Sequence, residues 1–274
     1  MAMRDRYDSG ARLYARFWAP VLHRSAEAVL DLVVALDPAP PKRLLDLGTG
    51  TGVLARAAAR RFPAANIVGV DFSRGMLAVA RALADEELGG QDGRLDWVEA
   101  DAARLPLADA SVDAVVSSFV LQLVPQRQPV YREVRRVLRP GGRFAFVTWC
   151  VDKSEFGPSE AFEDVLDELE IPVDEGPEEK VAGDFVSAHA AGASLRRAGF
   201  RVVRAEPATL EYAFTPASYL ENKLRYDDRT LVEGLRPSVR RRLEGWFREK
   251  LAALPSDAFL LRAPIVYVTA ERPG

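Results

Sequence analysis

Arg43-Leu44-Leu45-Asp46-Leu47-Gly48-Thr49-Gly50-Thr51-Gly52 reads as a short buried strand running into a glycine-rich turn. Leu44, Leu45 and Leu47 make a nearly continuous apolar run, the pattern of a parallel strand covered on both faces. The glycines allow a tight turn and leave no Cβ between backbone and ligand. Val53 to Phe62 follows, rich in Ala, Leu and Arg and a strong helix former. A strand, a glycine turn and a helix N-terminus make a cradle whose outward N–H groups and helix dipole favour negative charge.

Asp46 sets this turn apart. A carboxylate at the strand tip repels a pyrophosphate and suits a ligand carrying positive charge. The spacing also departs from the dinucleotide fingerprint, because position 53 is Val where a glycine is required. A ligand with a carboxylate, an ammonium and a sulfonium fits better, and that description matches S-adenosylmethionine.

Working outward, the chain has 274 residues, 48% of them hydrophobic, enough for a sizeable core in one large domain or one domain with an elaborated end. The net charge of −3 argues against nucleic acid as the main partner. A single cysteine, Cys150, excludes an internal disulfide, and with two histidines, His23 and His189, no metal site is expected. No apolar run is long enough for a membrane span, and MAMRDRYDSG lacks the apolar stretch of a signal peptide, so a cytoplasmic protein is expected.

Upstream, Tyr7, Tyr14, Phe17 and Trp18 precede a helix over Val21–Leu36 that ends at Pro38, Pro40 and Pro41. Residues 1–40 are read as a helical flap. Downstream, Ala65 to Asp71 is a second buried strand, with Ser73 capping a helix from Arg74 to about Ala84. A polar loop with Gly89 and Gly90 runs to Asp92. An acid at the second strand's tip suits a ribose diol. Leu95–Glu99 is the third strand, with Asp101 beyond it placed to accept from an adenine amino group. Val112–Ser118 is the fourth, continued as an apolar stretch through Val124 that contains Gln122. Pro129 opens a helix to Leu138, Arg139–Gly142 is a turn, and Arg143–Thr148 is the fifth strand, followed by Trp149.

Strands alternating with helices predict a doubly wound α/β fold, in which ligands bind beyond the carboxyl ends of the strands. Asp46, Asp71, Asp101 and Ser117–Phe119 all fall at such ends. Residues 152–180 hold 12 Asp and Glu against 2 Lys. They read as a solvated amphipathic helix, or as a lid facing an amine. A short helix over Ser194–Ala198, a strand at about Arg201–Leu210, a helical insert opened by Thr215-Pro216-Ala217 and a last strand over Leu260–Thr269 complete the chain. Arg240, Arg241 and Arg242 are read as a solvated face of the insert's last helix.

LLDLGTGTG, VGVDFSRGMLAVAR, EADAARLPLADASVDAVVSSFVLQLV and EVRRVLRPGGRFAFVTW occur in order over residues 43–149. In this the chain resembles class I S-adenosylmethionine-dependent methyltransferases, specifically those similar to the ubiquinone/menaquinone-biosynthesis C-methyltransferases. The resemblance implies a seven-stranded Rossmann-like sheet of order 3-2-1-4-5-7-6 with the last strand antiparallel. It implies a cofactor-binding core at 41–150, and a C-terminal part at 151–274 carrying the last two strands and helical insertions at 151–192 and 214–258. It implies that Asp46, Gly48, Thr49, Gly50 and Gly52 hold the methionine end of the cofactor, and that Asp71 holds the ribose. Phe72 and Met76 would pack on the adenine, Asp101 and Ala102 read its amino edge, and Ser117 and Phe119 lie near the sulfonium. The product would be S-adenosylhomocysteine.

Many such relatives carry a His near Gln122, whose amide cannot serve as a base. His189, Gln122 and Tyr14 are the catalytic candidates, with Tyr7 and Trp149 as pocket liners. The expected activity is methyl transfer to a small-molecule acceptor, apolar or aromatic, by a monomer or homodimer. A non-catalytic cofactor-binding subunit and an NAD(P)-dependent oxidoreductase are the alternatives. Residues 1–40, 151–192 and 214–258 are expected to form the acceptor pocket.

Overall fold

The computed structural model describes residues 3–36, 39–89, 93–152, 154–173 and 181–274. Its sheet has seven strands in the order β3-β2-β1-β4-β5-β7-β6. They are β1 Arg43–Leu47, β2 Asn66–Asp71, β3 Leu95–Glu99, β4 Val112–Ser118, β5 Leu138–Trp149, β6 Arg201–Ala213 and β7 Leu260–Glu271. The order departs from sequence order between β1 and β4, which places a topological switch directly beyond the quoted stretch. Strands β1 to β5 pair in parallel, and β7 runs antiparallel to β5. Asp113 of β4 fixes the entry to β1, its Oδ2 accepting from the N–H groups of Lys42 and Arg43 at 2.7 and 2.8 Å.

The chain divides into two compact units, Met1–Val151 with Lys180–Ala208 and Pro264–Gly274, and Asp152–Glu179 with Thr209–Ala263. In the first, helices α1 Met3–Leu13, α2 Ala19–Leu36, α3 Val53–Arg61, α4 Arg74–Leu88, α5 Arg127–Val137 and α7 Ala188–Arg197 accompany the sheet. The strand period decides the packing. Leu45 and Leu47 join Val115, Tyr131, Phe144 and Phe146 in one apolar cluster, so Leu44 and Asp46 project from the opposite face of the sheet. In the second unit, α6 Gly157–Glu168, α8 Pro216–Asn222, α9 Arg229–Gly234 and α10 Pro237–Ala253 enclose an aromatic core. Phe162 and Phe247 lie 5.0 Å apart, and Phe214 and Tyr219 5.2 Å.

Several boundaries differ from the sequence reading. Helix α1 and a π-turn at Tyr14–Trp18 make the N-terminal segment helical well before Val21. The predicted end of α2 at Pro38 lies outside the described residues, as do Gly90 and Asp92. Helix α4 runs on through Glu86 to Leu88 and stops at Gly89, left-handed at φ 84°. Helix α5 starts at Arg127, so Pro129 is its third residue. Proline is tolerated there because the first four N–H groups of a helix lack intrahelical partners. Arg139–Gly142 is a bulge inside β5 rather than a turn before it, since Val112 pairs with Leu138 and Ala114 already with Arg143. Strand β4 stops at Ser118, and the apolar run after it is turn and bend. Helix α7 begins at Ala188, six residues before the predicted Ser194.

Candidate cofactor site

The glycine turn bridges three strand ends. Thr49 N–H donates to the Val70 carbonyl at 2.9 Å, Gly50 N–H to Asp71 Oδ2 at 2.8 Å, and Ser117 Oγ to the Leu47 carbonyl at 2.8 Å. Asp71 also accepts from Ser73 N–H at 2.9 Å. Burial raises the Asp71 carboxyl above its ordinary range, and these amides partly offset the rise. Asp71 thus ties the turn to the entrance of α4 at the carboxyl end of β2.

Asp46 lies beneath the turn and is 1% exposed. Its Oδ2 accepts from Thr49 Oγ1 at 2.6 Å, while Oδ1 is buried without a hydrogen-bond partner. Burial pushes this carboxyl up to about 7, against the Thr49 hydrogen bond and the Ala55 N–H near it in the first turn of α3, with the charge of Asp71 adding to the rise. A buried acid with an orphaned oxygen below an open glycine turn suits a cationic group. Gly50 has no heavy atom within 4 Å of where a Cβ would stand, so the turn leaves room there for a ligand to meet the backbone. The residues present therefore fit the methionine end of S-adenosylmethionine.

The remaining predicted contacts distribute along the same edge of the sheet. Met76 is buried, and its N–H bonds to the capping Ser73 Oγ. Asp101 is exposed and Ala102 half-buried, with Asp101 Oδ1 taken by Ala103 N–H at 2.8 Å. Phe119 adopts φ 54° at the end of β4, and its ring lies 4.5 Å from that of Trp149 at the end of β5. Among the described residues no group of three His, Cys, Asp or Glu could hold a metal.

The catalytic candidates are placed less favourably. His189 is exposed on the first turn of α7. Gln122 is buried with both ends engaged, Nε2 donating to the Phe119 carbonyl at 2.7 Å and Oε1 accepting from Thr148 Oγ1 at 2.6 Å. Tyr14 sits in the π-turn with its ring 6.3 Å from Tyr7.

Helix α1 contributes residues that sequence reading missed. Asp8 Oδ1 accepts from Ser73 Oγ at 2.6 Å and from Gly75 N–H at 2.9 Å, so a residue 65 positions upstream helps cap α4. Gly75 permits this, because a Cβ there would stand 2.3 Å from the Asp8 carbonyl. Tyr7 meets Phe72 edge to face at 6.0 Å, and the Arg4 guanidinium lies 5.5 Å from the Phe72 ring centre while pairing with Glu99. The only sequence signal was the aromatic content of the segment. The Ser73 hydrogen bond holds the Asp8 carboxyl below its ordinary range. A lowered carboxylate contributes stability above its unfolded value, and that contribution is lost as pH falls through the folded one. Asp8→Ala is expected to cost about 1 kcal/mol in urea unfolding at pH 7. That difference should vanish under acid conditions that protonate Asp8 in both states.

The methyltransferase domain family matches residues 45–146. The malonyl-[acyl-carrier protein] O-methyltransferase of Geobacter sulfurreducens is 40% identical over 144 residues, 53% of this chain and 51% of that protein. The demethylmenaquinone methyltransferase of Thermus thermophilus is 46% identical over 110 residues, 40% of this chain and 48% of that protein. The chain thus spans about half the length of these curated relatives. Among solved structures, a Haemonchus contortus phosphoethanolamine N-methyltransferase 2, in complex with phosphomonomethylethanolamine and S-adenosylhomocysteine, superposes with a TM-score of 0.59 at 20% identity. It covers 100% of this chain and 61% of that one. No described helix is long and apolar enough to cross a membrane. The sheet order, the acids at its strand ends and the matched segment agree: residues 45–146 form a methyltransferase domain on a Rossmann-like methyltransferase sheet, similar to the ubiquinone/menaquinone-biosynthesis enzymes.

Proposed function

We propose that the chain transfers a methyl group from S-adenosylmethionine to a small apolar or aromatic acceptor. The observation that carries this reading is the buried Asp46, raised to about 7 with an orphaned oxygen beneath a turn that is open at Gly50. Asp46 with the turn from Gly48 to Gly52 would hold the methionine end, Asp71 the ribose, and Phe72, Met76, Asp101 and Ala102 the adenine. The cofactor brings an already activated methyl group. This chain's task is then to align the acceptor and exclude water, and neither Gln122 nor His189 is placed to act as a base. Gln122 is committed at both ends and His189 points to solvent-exposed surface. Acceptors whose proton leaves late, or is lost to water, suit such a site.

Residues 1–40, 151–192 and 214–258 are proposed to select the acceptor. Within the second unit, Asp164 and Glu168 of α6 pair with Lys250 of α10 at 3.3 and 2.8 Å. Part of the acidic stretch therefore has a structural partner, which weakens its cue for an amine. Arg240 donates to the carbonyls of Val232 and Glu233, and Arg242 lies 4.9 Å from the Trp246 ring centre, so these arginines have local roles as well.

Titration calorimetry tests the reading. The chain should bind S-adenosylmethionine and S-adenosylhomocysteine, and Asp71→Ala should weaken both at least about 30-fold, the scale of one or two charge-assisted hydrogen bonds. Binding of NADH without S-adenosylmethionine would sink it. Methyl transfer to a panel of quinols, phenols and carboxylates separates an enzyme from a non-catalytic binding subunit.

A further inference from the structure

We infer that Gln122 is a positioning residue for the cofactor's sulfonium, acting through the Phe119–Trp149 aromatic pair. The inference rests on the proposed cofactor site and assigns to Gln122 a role other than acid or base.

Phe119 is a bulky residue held at φ 54°. Such a conformation costs energy and persists only where the surroundings over-determine it. Three contacts do so. Phe119 N–H donates to the Val147 carbonyl at 2.9 Å, extending the β4–β5 ladder by one residue. Its carbonyl accepts from Gln122 Nε2 at 2.7 Å. Phe119 is buried, and its ring lies 4.5 Å from that of Trp149 with the planes tilted by 43°. Gln122 is in turn oriented by Thr148 Oγ1 at 2.6 Å, and its own carbonyl accepts from Gly183 N–H at 3.0 Å. Thr148 is fully buried on β5, next to Trp149. One carboxamide therefore ties the Phe119 carbonyl, just beyond β4, to Thr148 of β5, the residue that precedes Trp149.

The position of this pair gives the strain a purpose. Val120, the next residue, packs so closely on the glycine turn that a Cβ on Gly48 would stand 2.3 Å from its Cγ2. The Val120 side chain, adjacent to Phe119, is thus part of the wall of the turn proposed to hold the methionine end. A fixed aromatic surface beside a cationic sulfur attracts it through the ring quadrupole. The thioether of S-adenosylhomocysteine has no such charge. The pair should consequently favour the substrate form of the cofactor over its product, and Gln122 should set how strongly.

The test measures both ligands by titration calorimetry on the full chain. Gln122→Leu keeps the size of the side chain and removes both hydrogen bonds. It is expected to weaken S-adenosylmethionine about 3- to 10-fold, the range of a cation–π contact, and to leave S-adenosylhomocysteine within about 2-fold. Thr148→Val should show the same selective loss in smaller degree. The double variant should be no worse than Gln122→Leu alone, because the hydroxyl acts through the carboxamide. Equal weakening of both ligands, or of neither, overturns the inference, since a merely structural role moves the two together. Should Gln122→Leu melt too low for titration, Trp149→Leu provides the same comparison without touching the carboxamide. Failure of the unaltered chain to bind either ligand overturns the proposed cofactor site instead, so the two failures are distinguishable.

Discussion

Asp46→Asn is expected to make the ligand-free protein more stable and its cofactor binding much weaker. The side chain is buried with one oxygen unpartnered and its carboxyl is raised to about 7 from 3.8. Below the lower value the acid is neutral in both the folded and the unfolded chain and costs nothing. As pH climbs toward 7 the unfolded chain loses its proton while the folded one keeps it, so stability falls across that window and levels off above it. At about 1.4 kcal/mol per unit the full penalty is of order 4–5 kcal/mol, and asparagine, neutral throughout, should recover roughly 2 kcal/mol of it at pH 8. Thermal melts at pH 5 and pH 8 check this. The unaltered chain should lose stability between the two, and the variant should lose distinctly less, the remainder coming from groups such as Asp71 whose carboxyl is also raised.

Binding moves in the opposite sense. A cationic ligand restores the ionised carboxylate, so association near pH 6 should release a proton, visible as a dependence of the calorimetric heat on buffer ionisation enthalpy. In Asp46→Asn that dependence should disappear, and affinity for S-adenosylmethionine should drop about 10- to 100-fold. A variant that is destabilised at pH 8, or that binds as tightly as the unaltered chain, would show that Asp46 is only a strut beneath the turn.

Much of this site could be read from the sequence because its determinants are local. Asp46 and Asp71 lie in buried apolar runs and Asp101 follows the alternating, partly buried β3, and a parallel strand that ends in an acid places that acid at the carboxyl edge wherever the strand lies in the sheet. The order of the strands came from resemblance, since periodicity says nothing of neighbours. What could not be read is what depends on distant pairing. Asp8 looks like any charged residue in a helical leader until α1 packs on Gly75 and the carboxylate meets Ser73 and Gly75. Gln122 looks like an isolated polar residue in an apolar run until β5 brings Thr148 to it. The bulge at Arg139–Gly142 is masked for a related reason. Pro-Gly-Gly is turn chemistry in isolation, and only the flanking strands convert it to a bulge, with Gly141 N–H donating to Arg272 O at 2.9 Å and Arg272 N–H to Gly142 O at 2.9 Å.

The three glycines of the turn look equivalent in sequence, yet their replacement by alanine should separate stability from binding. Gly52 caps α3 at φ 78°, where an L-residue is strained, and a Cβ there would lie 2.7 Å from Trp97 Cη2 and 3.0 Å from the Ala80 Cβ. The indole also lies over Gly69 on β2, the same ring standing 2.7 Å from the ideal Cβ position there, so it packs against both glycines. Left-handed strain of about 1–2 kcal/mol adds to overpacking of about 1–3 kcal/mol, so Gly52→Ala should lose roughly 3 kcal/mol or more in urea unfolding. Trp97→Leu, added to that variant, should return the overpacking part and leave the backbone part, giving a clear departure from additivity. Gly50 has φ 54° and open space where a Cβ would stand. Gly50→Ala should cost only the backbone strain, about 1 kcal/mol, and remain folded. Its methyl group would nevertheless occupy the space through which the cofactor approaches the backbone, and affinity for S-adenosylmethionine should fall at least about 30-fold. If Gly50→Ala binds normally, the ligand does not lie on this turn. If Gly52→Ala is as stable as Gly50→Ala, the indole is not the wedge that the geometry makes it.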